Sequence, residues 1–365
     1  MILIVNNQIP QITLVPGPCA IETEKLTHES AYKVSLVKDA VEPFHIKVGY
    51  RGGAWKPRTR YWNGNGEREF DGTREDGLQW LADAVNKYGL FAVTECMSEE
   101  DLRHFGRFLE DGRDYVQVGS RNSQNFALEY QIGGTRFGVL LKNPQHGVNV
   151  DEAVGAIQRF VRNREVVYCV RGQQKYIDPD GLEDEHYQQF MASLLSRPTQ
   201  DPDSRNLNNI GAIHKLRNHP RFALDNPNRV QVAYDPSHTW GGRNDKIRRK
   251  LGQSAIDAVR IYGYDWVELD IHDHSHIARV DGDQALLTTT NGIRWIETNA
   301  GQGPGVKRNG GKEPTIMPLT LVDISENFVE YQAERMGLTK DDPQVILAKQ
   351  KLRAISWDMT PVSVR

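Results

Sequence analysis

The chain has 365 residues, is 38% hydrophobic and 25% charged, and carries a formal net charge of −3. That is ordinary globular composition, long enough for a full core, and it excludes a disordered, fibrous or strongly basic nucleic-acid-binding protein. Three cysteines (Cys19, Cys96, Cys169) are too few for a disulfide framework and predict a reducing, cytoplasmic setting. No apolar run approaches the roughly 18 residues of a membrane span, and Met1–Val5 is too short for a signal segment.

Taken in chain order, eight short apolar runs each end in a polar or charged residue. They are Thr13–Ile21, Phe44–Arg51, Phe91–Cys96, Tyr115–Ser120, Phe137–Lys142, Val166–Gly172, Val230–His238 and Trp266–His272. Helical patterns lie between them. Thr73 to Asp76 and Ser98 to Asp101 have capping-box spacing, and Leu102, Phe105, Phe108 and Leu109 mark one helical face. Residues 150–162 place Val154, Ile157, Phe160 and Val161 on one face, and 245–260 do so with Ile247, Leu251, Ile256 and Val259. Strands alternating with helices predict an α/β chain with a parallel sheet, here a (β/α)8 TIM barrel. Its active site is expected at the C-terminal ends of the strands.

A barrel takes about 250 residues, so the chain carries additions. The expected layout is a catalytic barrel over 1–298, with an extended sixth βα connection at about 173–229. A C-terminal helical extension over 299–365 is expected to pack on it. The loop Tyr61–Gly72 is a further addition, and Asp342-Pro343 reads as an N-cap with proline at the first helical position. The Gly-rich stretch Gly301–Glu313 lacks a phosphate-loop ending and reads as a surface loop.

The strand ends carry the chemistry. Gly17-Pro18-Cys19 offers a thiolate, Asp235-Pro236-Ser237-His238 an imidazole, and Glu268 and Asp281 carboxylates, a plausible divalent set. His272, His274 and His276 form a competing cluster. Arg51, Arg121, Lys142 and Arg171 bring cations to four strand ends, suited to phosphate and carboxylate. A ring of cations beside a metal set predicts an anionic, phosphorylated substrate.

Several motifs together are similar to one family. They are Arg51-Gly52-Gly53-Ala54-x-Lys56-Pro57-Arg58-Thr59, Gly17-Pro18-Cys19, Gly119-x-Arg121-Asn122-x-Gln124-Asn125-Phe126, Leu140-Leu141-Lys142 and Asp235-Pro236-Ser237-His238. Over roughly 13–290 the chain resembles the 3-deoxy-7-phosphoheptulonate (DAHP) synthases, in the type I beta branch that also holds the Kdo8P synthases. The Lys-Pro-Arg-Thr element resembles the DAHP side of that branch. The resemblance implies condensation of phosphoenolpyruvate with an aldose phosphate, typically erythrose 4-phosphate. It implies one divalent metal ion (manganese, iron, cobalt or zinc) on Cys19, His238, Glu268 and Asp281. It implies phosphoenolpyruvate on Arg51, Lys56, Arg121, Lys142 and Arg171, and the aldose phosphate along Lys56, Pro57, Arg58 and Thr59. Lys56, Cys19 and His238 would be the catalytic residues. It also implies a homo-oligomer, dimer or tetramer, with no nucleic-acid or membrane partner.

The sequence departs from the family at Val170, where Glu is common, at Arg60, where Ser is usual, and at Asn209, where an Asp would fall. These departures gather near the aldose end. The alternatives are therefore a related 3-deoxy sugar-acid synthase using another aldose, or a catalytically silent phosphosugar-binding barrel. No regulatory domain of the ACT or ferredoxin-like type is expected before the barrel, and with it little inhibition by aromatic amino acids.

Overall fold

Short runs rich in Val, Ile and aromatic residues, bounded by turns, favour extended backbone. The computed structural model describes residues 9–57, 71–144, 148–160, 162–172, 210–223, 225–226, 229–238, 245–272, 285–286 and 321–355. At 245–251, 272 and 285–286 it describes the backbone alone. The strands are β1 (Ile12–Gly17), β2 (Ile46–Val48), β3 (Tyr50–Arg51), β4 (Ala92–Glu95) and β5 (Tyr115–Val118). They continue as β6 (Gly138–Lys142), β7 (Val166–Val170), β8 (Gln231–Tyr234) and β9 (Trp266–His272), with β10 (Ala285–Leu286) paired outside the ring on β9.

All pairings are parallel, in the order β2-β1-β9-β8-β7-β6-β5-β4-β3. β2 and β3 are two halves of one strand, split at Gly49. The Gly49 N–H donates to Leu14 O at 3.0 Å, and the Tyr50 N–H to Phe91 O at 2.8 Å. One strand therefore pairs with β1 below the split and with β4 above it, which closes the barrel. Glycine is required at the split because a Cβ there would meet the Phe91 ring at 2.3 Å. The result is a TIM barrel of eight strand positions, as the alternation of runs predicts.

The helices are α1 (Glu24–Val41), α2 (Arg74–Tyr88), α3 (Glu99–Phe108), α4 (Phe126–Gly133), α5 (Val150–Ile157), α6 (Ala212–Arg217) and α7 (Asp245–Arg260). α8 (Leu321–Arg335) and α9 (Pro343–Arg353) follow. Their starts are chemically marked. Thr23, Ser98, Asn125, Asn149 and Asp342 each accept a hydrogen bond from a backbone N–H of the first turn. At α2 the expected cap is absent, because the Thr73 hydroxyl donates instead to Ile21 O at 3.1 Å. At α3 the box is half formed. Ser98 accepts from Asp101 N, while Asp101 accepts from Met97 N rather than from the cap residue.

α8 packs against both α7 and α1. It thus fills the eighth place in the helical ring, although it starts beyond the expected boundary at 298. Among the described residues only α9 lies outside the ring, packed on α1 and α8. Among the described residues no helix is long and apolar enough to cross a membrane.

Side chains alternate along each strand, so the core divides in two. Outward residues such as Leu14, Val116, Val139, Val232 and Val267 meet the helices. Inward residues Val15, Phe91, Val93, Tyr115, Leu140, Val167, Cys169, Ala233 and Trp266 form a separate plug. Phe91, Tyr115 and Trp266 pack mutually, with centroids 5.1–5.9 Å apart. Each such aromatic pair contributes about 0.5–1.5 kcal/mol beyond area burial. Above the plug, the next inward positions are charged: Lys142, Arg171, Asp235, Glu268 and Asp270. That change of polarity along the barrel axis places the site.

Candidate active site

β1 ends at Gly17, where a Cβ would meet Arg51 O at 1.9 Å, so only glycine lets β1 and β3 come this close. The turn after it buries Cys19. Lys56 donates from Nζ to Cys19 O at 2.6 Å and to Cys19 Sγ at 3.1 Å. Burial alone would raise the Cys19 thiol pKa. The positive charges of Lys56, Arg51 and His238, with a hydrogen bond from His238, outweigh it and hold the pKa well below the ordinary value.

β8 leads into Asp235-Pro236-Ser237-His238. Asp235 Oδ1 accepts from the His238 N–H at 3.0 Å, and Asp235 Oδ2 lies 3.0 Å from His238 Nδ1. The carboxylate therefore holds one ring nitrogen and leaves Nε2 toward Cys19 and Asp270, whose Oδ2 is 3.5 Å away. This is the carboxylate–histidine arrangement that orients a metal-ligating imidazole. Burial lowers the His238 pKa, but Asp235 outweighs it and raises it.

Cys19, His238 and Asp270 offer ligand atoms that all lie within 4.8 Å of one another. Both Asp270 oxygens are buried and ion-paired to Arg51 and His238, without a well-aligned hydrogen bond. A thiolate, an imidazole nitrogen and a carboxylate suit a divalent transition metal.

Sequence reading put Glu268 in that set, and the structure places it elsewhere. In the β1–β9 register Asp270 is level with Gly17, beside the Cys19 turn, whereas Glu268 is level with Val15. Glu268 groups instead with Cys169 and Asp235. Asp270 was legible as an inward position in phase with Glu268; depth in the barrel was not. Asp281, Arg58 and Thr59 lie outside the described residues, as do His274 and His276.

Three of the cations stand at the ends of three strands. Arg51 pairs with Glu268 (Nε–Oε1 3.1 Å) and with Asp270. Lys142 reaches Asp235 at 2.8 Å and Glu268 at 2.9 Å. Arg171 is buried at the end of β7. Its backbone is bracketed by Asn143, whose Oδ1 accepts from Arg171 N at 2.6 Å and whose Nδ2 donates to Arg171 O at 3.3 Å. Asn143 O also accepts from Ser120 Oγ at 2.8 Å, tying in the turn that carries Arg121. Arg121 itself is exposed on the rim. Lys56 and Pro57 are half-buried in the loop after β3. Sequence reasoning missed Asn143 and the charge role of Asp235, because neither residue type announces a bracket until its partners are brought together.

Comparison with known proteins gives a consistent picture. Residues 4–183 match the model of the DAHP synthetase I family. Over 277 residues the chain is 28% identical to phospho-2-dehydro-3-deoxyheptonate aldolase of Thermotoga maritima, a match covering 75% of this chain and 65% of that protein. The crystal structure of Thermotoga maritima phospho-2-dehydro-3-deoxyheptonate aldolase (DAHP synthase) is similar, with a TM-score of 0.53 and 26% identity over 75% of this chain and 64% of that chain. A truncated form of 3-deoxy-D-arabino-heptulosonate 7-phosphate synthase from the same organism shares the fold, with a TM-score of 0.50 and 24% identity over 76% of this chain and 81% of that chain. The chain thus spans just under two thirds of the length of its full-length relatives.

Proposed function

From the match of residues 4–183 to the DAHP synthetase I family and the similarity to a curated DAHP synthase, we propose that this chain condenses phosphoenolpyruvate with an aldose phosphate and releases inorganic phosphate. One observation carries the reading. A thiolate–imidazole–carboxylate group, its cysteine and aspartate buried and its histidine partly so, shares one barrel mouth with the buried cations Arg51, Lys142 and Arg171. Two phosphates and a carboxylate need several fixed cations in a water-poor site, where preorganised charge acts most strongly.

A divalent ion on Cys19, His238 and Asp270, with Asp281 as the further ligand, supplies Lewis acidity toward a carbonyl oxygen. The protein residues do the rest. Arg51, Lys142, Arg171 and Arg121 bind and orient phosphoenolpyruvate, and Asp235 keeps both His238 and Lys142 in place. Carbon 3 of the enol attacks the aldehyde carbon. Water adds at carbon 2, and the phosphate leaves by C–O cleavage. Lys56, beside Cys19 at the mouth, delivers the proton to the new alkoxide. Lys56, Pro57, Arg58 and Thr59 are the proposed aldose phosphate residues. Erythrose 4-phosphate is the proposed second substrate.

The test is phosphate release from phosphoenolpyruvate with manganese, across erythrose 4-phosphate, arabinose 5-phosphate, ribose 5-phosphate and unphosphorylated aldoses, with product mass. Release with erythrose 4-phosphate is expected. Release only with another aldose keeps the chemistry and replaces the substrate. No release with any aldehyde, from protein that binds metal and phosphoenolpyruvate, sinks the reading in favour of a silent binding barrel.

A further inference from the structure

Glu268 is fully buried on β9, one inward position below Asp270. Both of its oxygens are engaged. Oε2 lies 3.5 Å from the Cys169 Sγ that donates to it. Oε1 faces two cations at once, Arg51 Nε at 3.1 Å and Lys142 Nζ at 2.9 Å. The outer sides of those cations are held as well: Lys142 by Asp235 at 2.8 Å, and Arg51 by Asp270. His238 joins Asp235 at 3.0 Å to Asp270 at 3.5 Å. Six side chains thus close a ring in which charge alternates, below the barrel mouth and above the apolar plug.

Two like charges drawn onto one oxygen repel each other, and in a site shielded from water that repulsion is weakly screened. Without the shared oxygen, Lys142 relaxes toward Asp235 and Arg51 toward Asp270. The two donors then diverge. A phosphate or carboxylate entering from the mouth needs them convergent.

We infer that Glu268 is a positioning residue, whose Oε1 fixes Arg51 and Lys142 at the spacing from which both donate to one anionic group of the substrate. This rests on the phosphoenolpyruvate reading above and adds a residue to it. Glu268 touches neither substrate nor metal in this role.

Glu268→Gln keeps the side chain's size and removes its charge. The measurements are phosphoenolpyruvate titration calorimetry on metal-loaded protein, the visible spectrum of the cobalt form, and steady-state kinetics. The expected result is a phosphoenolpyruvate Kd raised tenfold or more. The aldose KM should stay within twofold, and the cobalt–thiolate band and metal Kd within threefold of the parent. A phosphoenolpyruvate Kd within threefold of the parent overturns the inference. Loss of the cobalt band overturns it too, by making Glu268 a ligand. Glu268→Asp keeps the charge and draws the oxygen back by one methylene. Should the amide variant fail to fold, this one decides: a threefold or larger rise in Kd supports the inference and no change overturns it. A parent protein that binds no phosphoenolpyruvate overturns the functional reading as well, which separates the two failures.

Discussion

Lys56 stands between the thiolate and the mouth, 3.1 Å from Cys19 Sγ. If it protonates the alkoxide, Lys56→Met removes the donor while leaving a chain of similar length. The expected loss in kcat is about 10²–10⁴-fold, the usual contribution of a positioned acid. Near-normal turnover of the variant would refute that role. Asp270 and Glu268 invite a second comparison, because both are buried carboxylates on one strand face. Asp270→Asn is expected to weaken cobalt binding by at least tenfold, read from the thiolate band and a chelator titration. An unchanged metal affinity would move the ligand role off Asp270. The adjacent Cys169 contrasts with Cys19: burial and the Glu268 charge push its thiol pKa well up, so it serves as a donor and not as a thiolate.

At the scale of elements, α4 shows how a helix is anchored between strand layers. Asn125 caps it, and Asn163 donates to Ile132 O at 3.1 Å and Phe137 O at 3.0 Å past its C-terminal end. Inside the helix Glu129 is fully buried against Arg159, at 3.0 Å. Burial raises its pKa from 4.5 to about 7, and the charge of Arg159 offsets this only in part. The folded state therefore holds a proton that the unfolded chain has already lost between those values. Stability contributed at Glu129 must fall as pH rises through that window. Glu129→Gln should leave stability near parent at pH 5 and exceed the parent at pH 8 by on the order of 2 kcal/mol. Urea melts at both pH values check this, and a pH-independent difference would count against it.

α5 was legible as a helix because the apolar spacing over 150–162 is local. The Thr73 and Ser98 starts were legible only in part. A hydroxyl three residues from an acid has the right spacing for a box, but the folded neighbours decide its partner. At Thr73 that neighbour is the carbonyl of Ile21, 52 positions away in sequence.

For the whole molecule, the barrel gathers carboxylates and a thiolate at one end and balances them with fixed cations. A divalent ion that binds the folded site and not the unfolded chain adds stability by mass action, about 2.7 kcal/mol at a hundredfold excess over Kd. Manganese or cobalt is therefore expected to raise Tm by several degrees relative to chelator-treated protein. The gain should vanish in Asp270→Asn. A Tm indifferent to every divalent ion would show that the mouth does not take one.

The amino-acid sequence by itself determined the alternation of strands and helices, the cations at the strand ends, and the placement of Cys19 and His238 at the mouth. Those follow from periodicity and from residues adjacent in the chain. Only the tertiary structure decided three further things. The β1–β9 register set Asp270 level with Gly17 and Glu268 level with Val15, so depth chose between two carboxylates of equal phase. Packing put α8 between α7 and α1, making a distant segment the eighth helix of the ring. Convergence of β3, β6, β8 and β9 closed the ring of alternating charge. Register, packing and convergence are relations between strands far apart in sequence, and periodicity within one strand carries no information about the offset of its neighbour.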